Sequence, residues 1–216
     1  MRELDNAIAS IAWSFGASKT VYMEYCNGIF QIQPQSKILI LNFTDRQTFS
    51  DIVFNSYVGS LIYTFKSLPE SYDGVYVRGD SRSIINSSAY TISTLHFNGD
   101  INGQQLILRY RPMVTVADIG LTDGKPLNLI RIYVLSLNQS EQLTLTGNFY
   151  LRVTALNITS TGRQYVLNSG TASIALEATL DGVKTVVWLP ITSNENGAIV
   201  NLEILVANVK VQRVTA

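Results

Sequence analysis

The stretch Ser173–Leu189, SIALEATL-DG-VKTVVWL, decides the fold class. Two apolar runs, Ser173–Leu180 and Val183–Leu189, flank Asp181-Gly182, a dipeptide suited to a tight hairpin turn. Comparable punctuation recurs at Asp73-Gly74, Asn98-Gly99, Asn102-Gly103, Asp123-Gly124, Asn168-Ser169-Gly170 and Asn196-Gly197. Between these turns lie Ala89–Phe97, Leu106–Tyr110, Leu129–Leu137 and Leu143–Leu156, followed by a long run, Ala198–Val214. Their spacing and alternation predict a mainly β chain folded as an antiparallel β-sandwich. No motif repeats at a fixed length, so neither a solenoid nor a propeller is indicated.

In the last run Leu202, Ile204 and Val206 share one parity, and Val209 and Val211 share the other. A β-bulge near Ala207-Asn208 would keep both sets facing inward. If that strand is central, its alternation serves the core. If it lies at an edge, it is a candidate for pairing between subunits, with Lys210 and Arg213 as guards.

The amino-terminal part differs. Leu4, Ile8, Ile11 and Phe15 recur at helical spacing, with Ala7 and Ala12 beside them and Gly16 as a stop, so one amphipathic helix opens the chain. Trp13 falls off this stripe, at an edge of the core or against a partner. Next come Thr20–Tyr25, with Val21, Met23 and Tyr25 on one face, a hairpin signal at Asn27-Gly28, and Ile29–Gln33 stopped by Pro34. The run Lys37–Phe43, KILILNF, suggests a strand covered on both faces, with the helix lying on one of them. A turn at Thr44-Asp45-Arg46 and a strand over Val58–Phe65 complete this part. Ser67–Ser71 is linker-like, and the expected organisation is a helix plus small sheet over 1–66 and a sandwich over 67–216, with a single domain as the alternative.

Composition narrows the function classes. The chain has 216 residues, 46% hydrophobic and only 15% charged, with zero net charge. That is enough chain for a sizeable core and few charges for a soluble domain, a balance common in extracellular β domains. Charge is also balanced on each side of Lys66, so no basic region exists to hold a phosphate backbone and nucleic acid is not an expected partner. Arg109 and Arg111 could bind an anion locally, but the outward face of a strand is the expected place for them. The one cysteine, Cys26, excludes an intrachain disulfide and a multi-cysteine metal site; it reads as a partly buried thiol. No stretch is long and apolar enough to span a membrane, and Met1–Asp5 is too polar for a signal peptide.

Catalytic and metal signals are weak. His96, the only histidine, sits inside a run of strand and reads as a packed or surface residue. Asp73, Asp80, Asp100 and Asp118 could supply a glycosidase pair only by folding together. Asp100–Gly103, with Asp118 and Asp123, has the look of a calcium loop but equally of a tight turn. Arg78-Gly79-Asp80 matches the integrin-type tripeptide, and a turn explains it. Asn42, Asn86, Asn138 and Asn157 begin Asn-x-Ser/Thr sequons, no more than the abundance of these residues predicts. Trp13 and Trp188 are the first candidates for a sugar-stacking platform, although the apolar neighbours of Trp188 point to the core. No catalytic, cofactor or metal residue is assigned.

Residues 2–65 resemble the region just after the membrane helix in archaeal type IV pilin-like proteins, those with class III signal peptides. The resemblance rests on Leu4–Ala12, Lys19–Tyr25, Asn27–Phe30 and Lys37–Phe43, in that order. It implies a soluble ectodomain whose anchoring hydrophobic helix would stand upstream of residue 2, the only route to a membrane. The expected function is a non-catalytic structural or interaction module at an archaeal cell surface, binding a protein partner or itself. A carbohydrate-binding or carbohydrate-active β-sandwich is the alternative, and a viral capsid or spike component a third.

Overall fold

The computed structural model describes residues 1–66, 72–100 and 103–214. One helix, α1 (Arg2–Ile11), opens the chain, followed by β1 (Ser18–Met23), β2 (Gly28–Gln33), β3 (Ile38–Thr44), β4 (Ser50–Tyr57) and β5 (Ser60–Phe65). Then come β6 (Tyr76–Arg78), β7 (Ser93–Asp100), β8 (Gly103–Tyr110), β9 (Met113–Thr122), β10 (Lys125–Ser136) and β11 (Leu143–Leu145). The last four strands are β12 (Phe149–Leu167), β13 (Ser173–Leu180), β14 (Val183–Pro190) and β15 (Ala198–Arg213). The fold is mainly β and sandwich-like with one amino-terminal helix, as the alternation and turn signals predict.

Three sheets form among the described residues. The long sheet runs β1-β12-β15-β10-β9, a six-stranded sheet runs β11-β2-β5-β8-β7-β6, and a four-stranded sheet runs β14-β13-β3-β4. Pairing between these strands is antiparallel except between β10 and β15, and an isolated bridge between Ile85 and Met113 is also parallel. Two of the tight hairpins are where the sequence puts them. Asp123 and Gly124 between β9 and β10, and Asp181 and Gly182 between β13 and β14, all take positive φ, the backbone that a two-residue turn requires.

The long sheet carries a separate core on each face. In β15, Val200, Leu202 and Ile204 pack with Ile130 and Ile132 of β10 against Leu39, Leu41, Leu176 and Ala178 of the four-stranded sheet. Ala207, Val209 and Val211, of the opposite parity, pack with Leu4 and Ile8 of α1 and with Phe30, Leu61 and Leu108 of the six-stranded sheet. Because alternate residues of a strand point to opposite faces, the two covering layers lie on opposite sides of the long sheet, towards opposite ends of its strands. Each core draws residues from both sides of position 66.

This corrects the reading of the last strand. The register of β15 with β10 is unbroken from Leu127↔Ile199 to Ser136↔Asn208, so β15 has no bulge. Its parity changes because the covered face changes. The irregularity lies in the neighbour, where β12 shifts register between Ala155 and Asn157. That one extra residue lets odd-numbered positions of β12 serve both cores, Val153 and Ala155 in one and Leu167 in the other.

Several local expectations also change. The helix ends at Ile11, and Phe15 is 78% exposed. Leu4, Ala7, Ile8 and Ile11 are buried, each large one worth about 1.5–3 kcal/mol, but against β1, β12 and the six-stranded sheet rather than the sheet containing β3. The KILILNF run is covered on one face only: Leu39, Leu41 and Phe43 are buried while Ile38 is exposed. Asn27-Gly28 does not join a hairpin, because β1 pairs with β12 and β2 with β5 and β11. Gly28 is needed for a different reason, since a Cβ there would lie 2.4 Å from the Thr64 carbonyl oxygen. Asn98-Gly99 lies inside β7, and β4 and β9 are additional strands. The linker-like Ser67–Ser71 lies outside the described residues, as do Ile101 and Asn102.

Candidate functional site

The side-chain chemistry of α1 centres on Asp5. It is fully buried, one helical turn before Ile8, and its carboxylate accepts from the Tyr110 hydroxyl at 3.0 Å and the Ser93 hydroxyl at 2.9 Å. Arg78 completes the set with an ion pair to the same carboxylate, while also donating to the Asn6 side chain. Burial and the neighbouring carboxylate push the Tyr110 phenol well above its ordinary value, so it stays a donor. The helix is thereby tied to β6, β7 and β8 by polar bonds in addition to its apolar stripe.

Arg78-Gly79-Asp80 is consumed internally. Arg78 holds Asp5, and Asp80 accepts from Arg82 at 2.7 Å and Arg111 at 2.5 Å. These guanidinium bonds hold the Asp80 carboxyl well below the usual carboxylate range. Arg111 is 1% exposed and also donates to the carbonyls of Arg82 and Thr91; Arg109 is 7% exposed and donates to the Thr94 hydroxyl. Neither arginine lies on an outward strand face, because each side chain finds oxygen partners within the fold, the requirement for burying a charge.

Beside the first turn of α1 lies a groove of about 780 Å³. Its lining comes from Met1, Glu3, Asn6 and Ala7 at the start of the chain, from Tyr63, Phe65 and Leu106 of the six-stranded sheet, and from Lys19–Glu24 and Cys26. Of these, Lys19–Met23 belong to β1, an edge of the long sheet. The Ala155 N–H donates to the Ala17 carbonyl, and the ladder continues through Lys19↔Val153 and Val21↔Leu151. Backbone groups of odd-numbered β1 residues therefore face β12, and those of Ser18, Thr20 and Tyr22 point outward along the groove. A largely apolar trough beside an unpaired strand edge is the geometry that accepts an extended segment as an added strand.

A second surface lies on the outer face of the four-stranded sheet. Trp188 is 48% exposed there, contrary to the core position its neighbours suggest, and the Arg46 guanidinium sits 4.9 Å from its ring centre. Glu177 on the adjacent strand accepts from Lys184 at 2.8 Å, Arg46 at 3.1 Å and Asn42 at 3.3 Å. These bonds, that from Lys184 first, hold its carboxyl below the usual range. Trp13 is 36% exposed and meets the Tyr133 ring edge-on at 5.5 Å.

The remaining candidates are dispersed. His96 is half-buried in β7 and stacks on Tyr76 at 5.2 Å; burial, with Arg109 nearby, pushes its pKa down to about 4. Its Nδ1 has no hydrogen-bond partner among the described residues. Asp73 accepts from the Gly99 N–H, and Asp118 from the Gly120 N–H. With Asp80 held by two arginines, Asp73, Asp80 and Asp118 serve separate local contacts rather than one pair, and the Asp100 side chain lies outside what is described. No group of three or more His, Cys, Asp or Glu with metal-binding geometry exists among the described residues. Cys26 is exposed rather than partly buried, with its thiol 3.6 Å from the Glu24 carbonyl oxygen.

Sequence reasoning missed Asp5 and the β1 groove. Asp5 lies on one helical line with Ile8 and Ala12, a signal that marks it for burial. The groove depends on which strands pair, which local pattern does not reveal. No family model matches the chain, and neither the curated proteins nor the solved structures contain a match to it.

Proposed function

We propose that this chain is a non-catalytic structural or interaction module of an archaeal cell surface, the ectodomain of a pilin-like or envelope-associated protein. The observation that carries the reading is the groove along the free edge of β1, which suits an extended segment of a protein partner or of a second copy. Seating of α1 by Leu4, Ile8 and the Asp5 bonds supports the pilin-like part, because a segment continuous with α1 would be held rigidly against the sandwich. Thr20→Pro tests it. Proline there removes an outward-facing N–H and leaves the ladder to β12 intact. Sedimentation should show association of the native full-length protein, with itself or with its cell-surface fraction, that Thr20→Pro abolishes without unfolding. Absence of association, or association indifferent to Thr20→Pro, counts against it, as does recovery of the native protein from the cytosol.

The carbohydrate-binding alternative has its own observation, the exposed Trp188 beside Arg46, Glu177 and Asn42. An indole face with fixed polar neighbours suits a sugar ring. Retardation of the protein in polysaccharide-containing gels, lost in Trp188→Ala, would favour this reading. Migration unchanged across a panel of neutral and acidic polysaccharides would remove it.

A further inference from the structure

The four sequons are chemically alike in sequence and unlike in the fold. Asn42 is tied up in β3: its side chain donates to Glu177 and accepts from Ser50. The third residue of that sequon, Thr44, is 4% exposed, its hydroxyl donating to the Phe49 carbonyl and accepting from the Arg46 N–H. At Asn138 the side-chain oxygen is buried, and Ser140, 8% exposed, bridges to the Val209 carbonyl and the Val211 N–H. Asn157 is exposed but lies in the β12–β15 ladder, and its side-chain oxygen accepts from Asn208 at 2.6 Å.

Asn86 shares exposure with Asn157 but lies outside any ladder and has no side-chain partner among the described residues. It and Ser88 are exposed, and neither side chain has a hydrogen bond among the described residues. The residue before it is pinned: the Ile85 N–H donates to Pro112 and the Ile85 carbonyl accepts from Val114. A turn follows, closed by the Tyr90 N–H on the Ser87 carbonyl at 3.2 Å. The sequon therefore begins where the chain leaves a fixed bridge and projects into solvent.

We propose that Asn86 is the N-glycosylation site of this protein, its glycan donated from a polyisoprenyl phosphate or pyrophosphate. The proposal rests on the cell-surface reading above, since that is where such donors are used. In the transfer, Nδ2 of Asn86 attacks the anomeric carbon of the donor sugar. A C–N bond forms, the C–O bond to the lipid phosphate breaks with its electron pair leaving on phosphate, and one Nδ2 proton is released. No oxidant or reductant is required. The free Ser88 hydroxyl is the group a transferase recognises two residues downstream. A glycan on Asn86 displaces no contact of the fold, whereas one on Asn42 would break its bond to Glu177, and the Ser140 hydroxyl two residues after Asn138 is already engaged by Val209 and Val211.

The test has two arms, each read by glycopeptide mass spectrometry. Folded protein made without glycosylation is incubated with an oligosaccharyltransferase and a lipid-linked oligosaccharide. Asn86 should be modified at least tenfold more than Asn42, Asn138 or Asn157, and Ser88→Ala, which leaves Asn86 in place, should abolish the modification. The protein from its native cells should carry glycan at Asn86. Comparable modification of Asn42, Asn138 or Asn157 in the folded protein, or a bare Asn86 in either arm, overturns the proposal. Cell fractionation separates the causes: a bare Asn86 on surface-located protein refutes this site alone, and a bare Asn86 on cytosolic protein refutes the surface reading as well.

Discussion

Asp5 is the residue on which the amino-terminal helix turns. Its carboxylate is removed from water, and of its three donors only Arg78 carries charge. Removing the cation strands a buried anion, whereas neutralising the anion leaves a partly exposed guanidinium that water can reach. Arg78→Ala should therefore cost about 3–5 kcal/mol and Asp5→Asn less, about 1–3 kcal/mol, as read from urea midpoints. An Asp5→Asn protein no more stable than Arg78→Ala would contradict the assignment. His96 gives a pH prediction. Its pKa is depressed from 6.5 to about 4, so below pH 6.5 the unfolded chain binds the proton more readily. The stability due to a neutral His96 is present above pH 6.5 and is lost as pH falls towards 4. His96→Gln should lose less stability than the parent across that window, and parallel pH profiles would refute it. At this scale the sequence was legible where one residue type has one role, as at Asp181-Gly182. It was not legible where partners are remote: Arg78 is 73 positions from Asp5, and the partners of Arg109 and Arg111 appear only after β7 and β8 pair.

Among the elements, β15 answers the question its sequence left open. It lies between β12 and β10, and beyond the end of β10 the Ser140 hydroxyl meets Val209 and Val211 while the Glu141 N–H donates to Val211. Both flanks are occupied, so β15 is a central strand with no free edge for assembly. Val209→Pro and Val211→Pro should each abolish cooperative folding by circular dichroism; a folded monomer from either would show that flank to be dispensable. The helix gives the companion prediction. Leu4→Asp places a second carboxylate beside buried Asp5 without a cation of its own, and should destabilise by about 3 kcal/mol or more in the same urea assay. A loss under 1 kcal/mol would mean that α1 is not seated. Strands with strong alternation and clear turns, β13 and β14 above all, could be read directly. Edge strand β9 was hidden because Thr115, Ala117 and Asp118 interrupt its apolar signal, as suits a strand exposed along much of its length.

The whole molecule is organised by one sheet serving two cores. The strands β12 and β15 are long because each passes from one covering layer to the other, and the register shift after Ala155 in β12 matches the change of face. Inward parity could be read in the sequence and was assigned to one interior. The presence of two interiors was not legible, because an alternating strand looks the same whichever neighbour covers it. The same arrangement leaves β1 at a sheet edge beside the groove, so the proposed interaction site follows from how the cores are shared.

Two tryptophans sit where this sharing can be measured. Trp13 follows α1 and meets Tyr133 of β10, and Trp188 lies on the four-stranded sheet that covers the core opposite α1. Equilibrium unfolding is followed by fluorescence in Trp188→Phe, which retains only Trp13, and in Trp13→Phe, which retains only Trp188. Ile8→Ala is placed in one core or Leu176→Ala in the other. Each truncation should cost about 2–5 kcal/mol, and the midpoint reported by either tryptophan should move by the same amount whichever core is cut. A truncation that moves only the nearer tryptophan's transition would mean that the two cores fold independently and that the long sheet does not unite them.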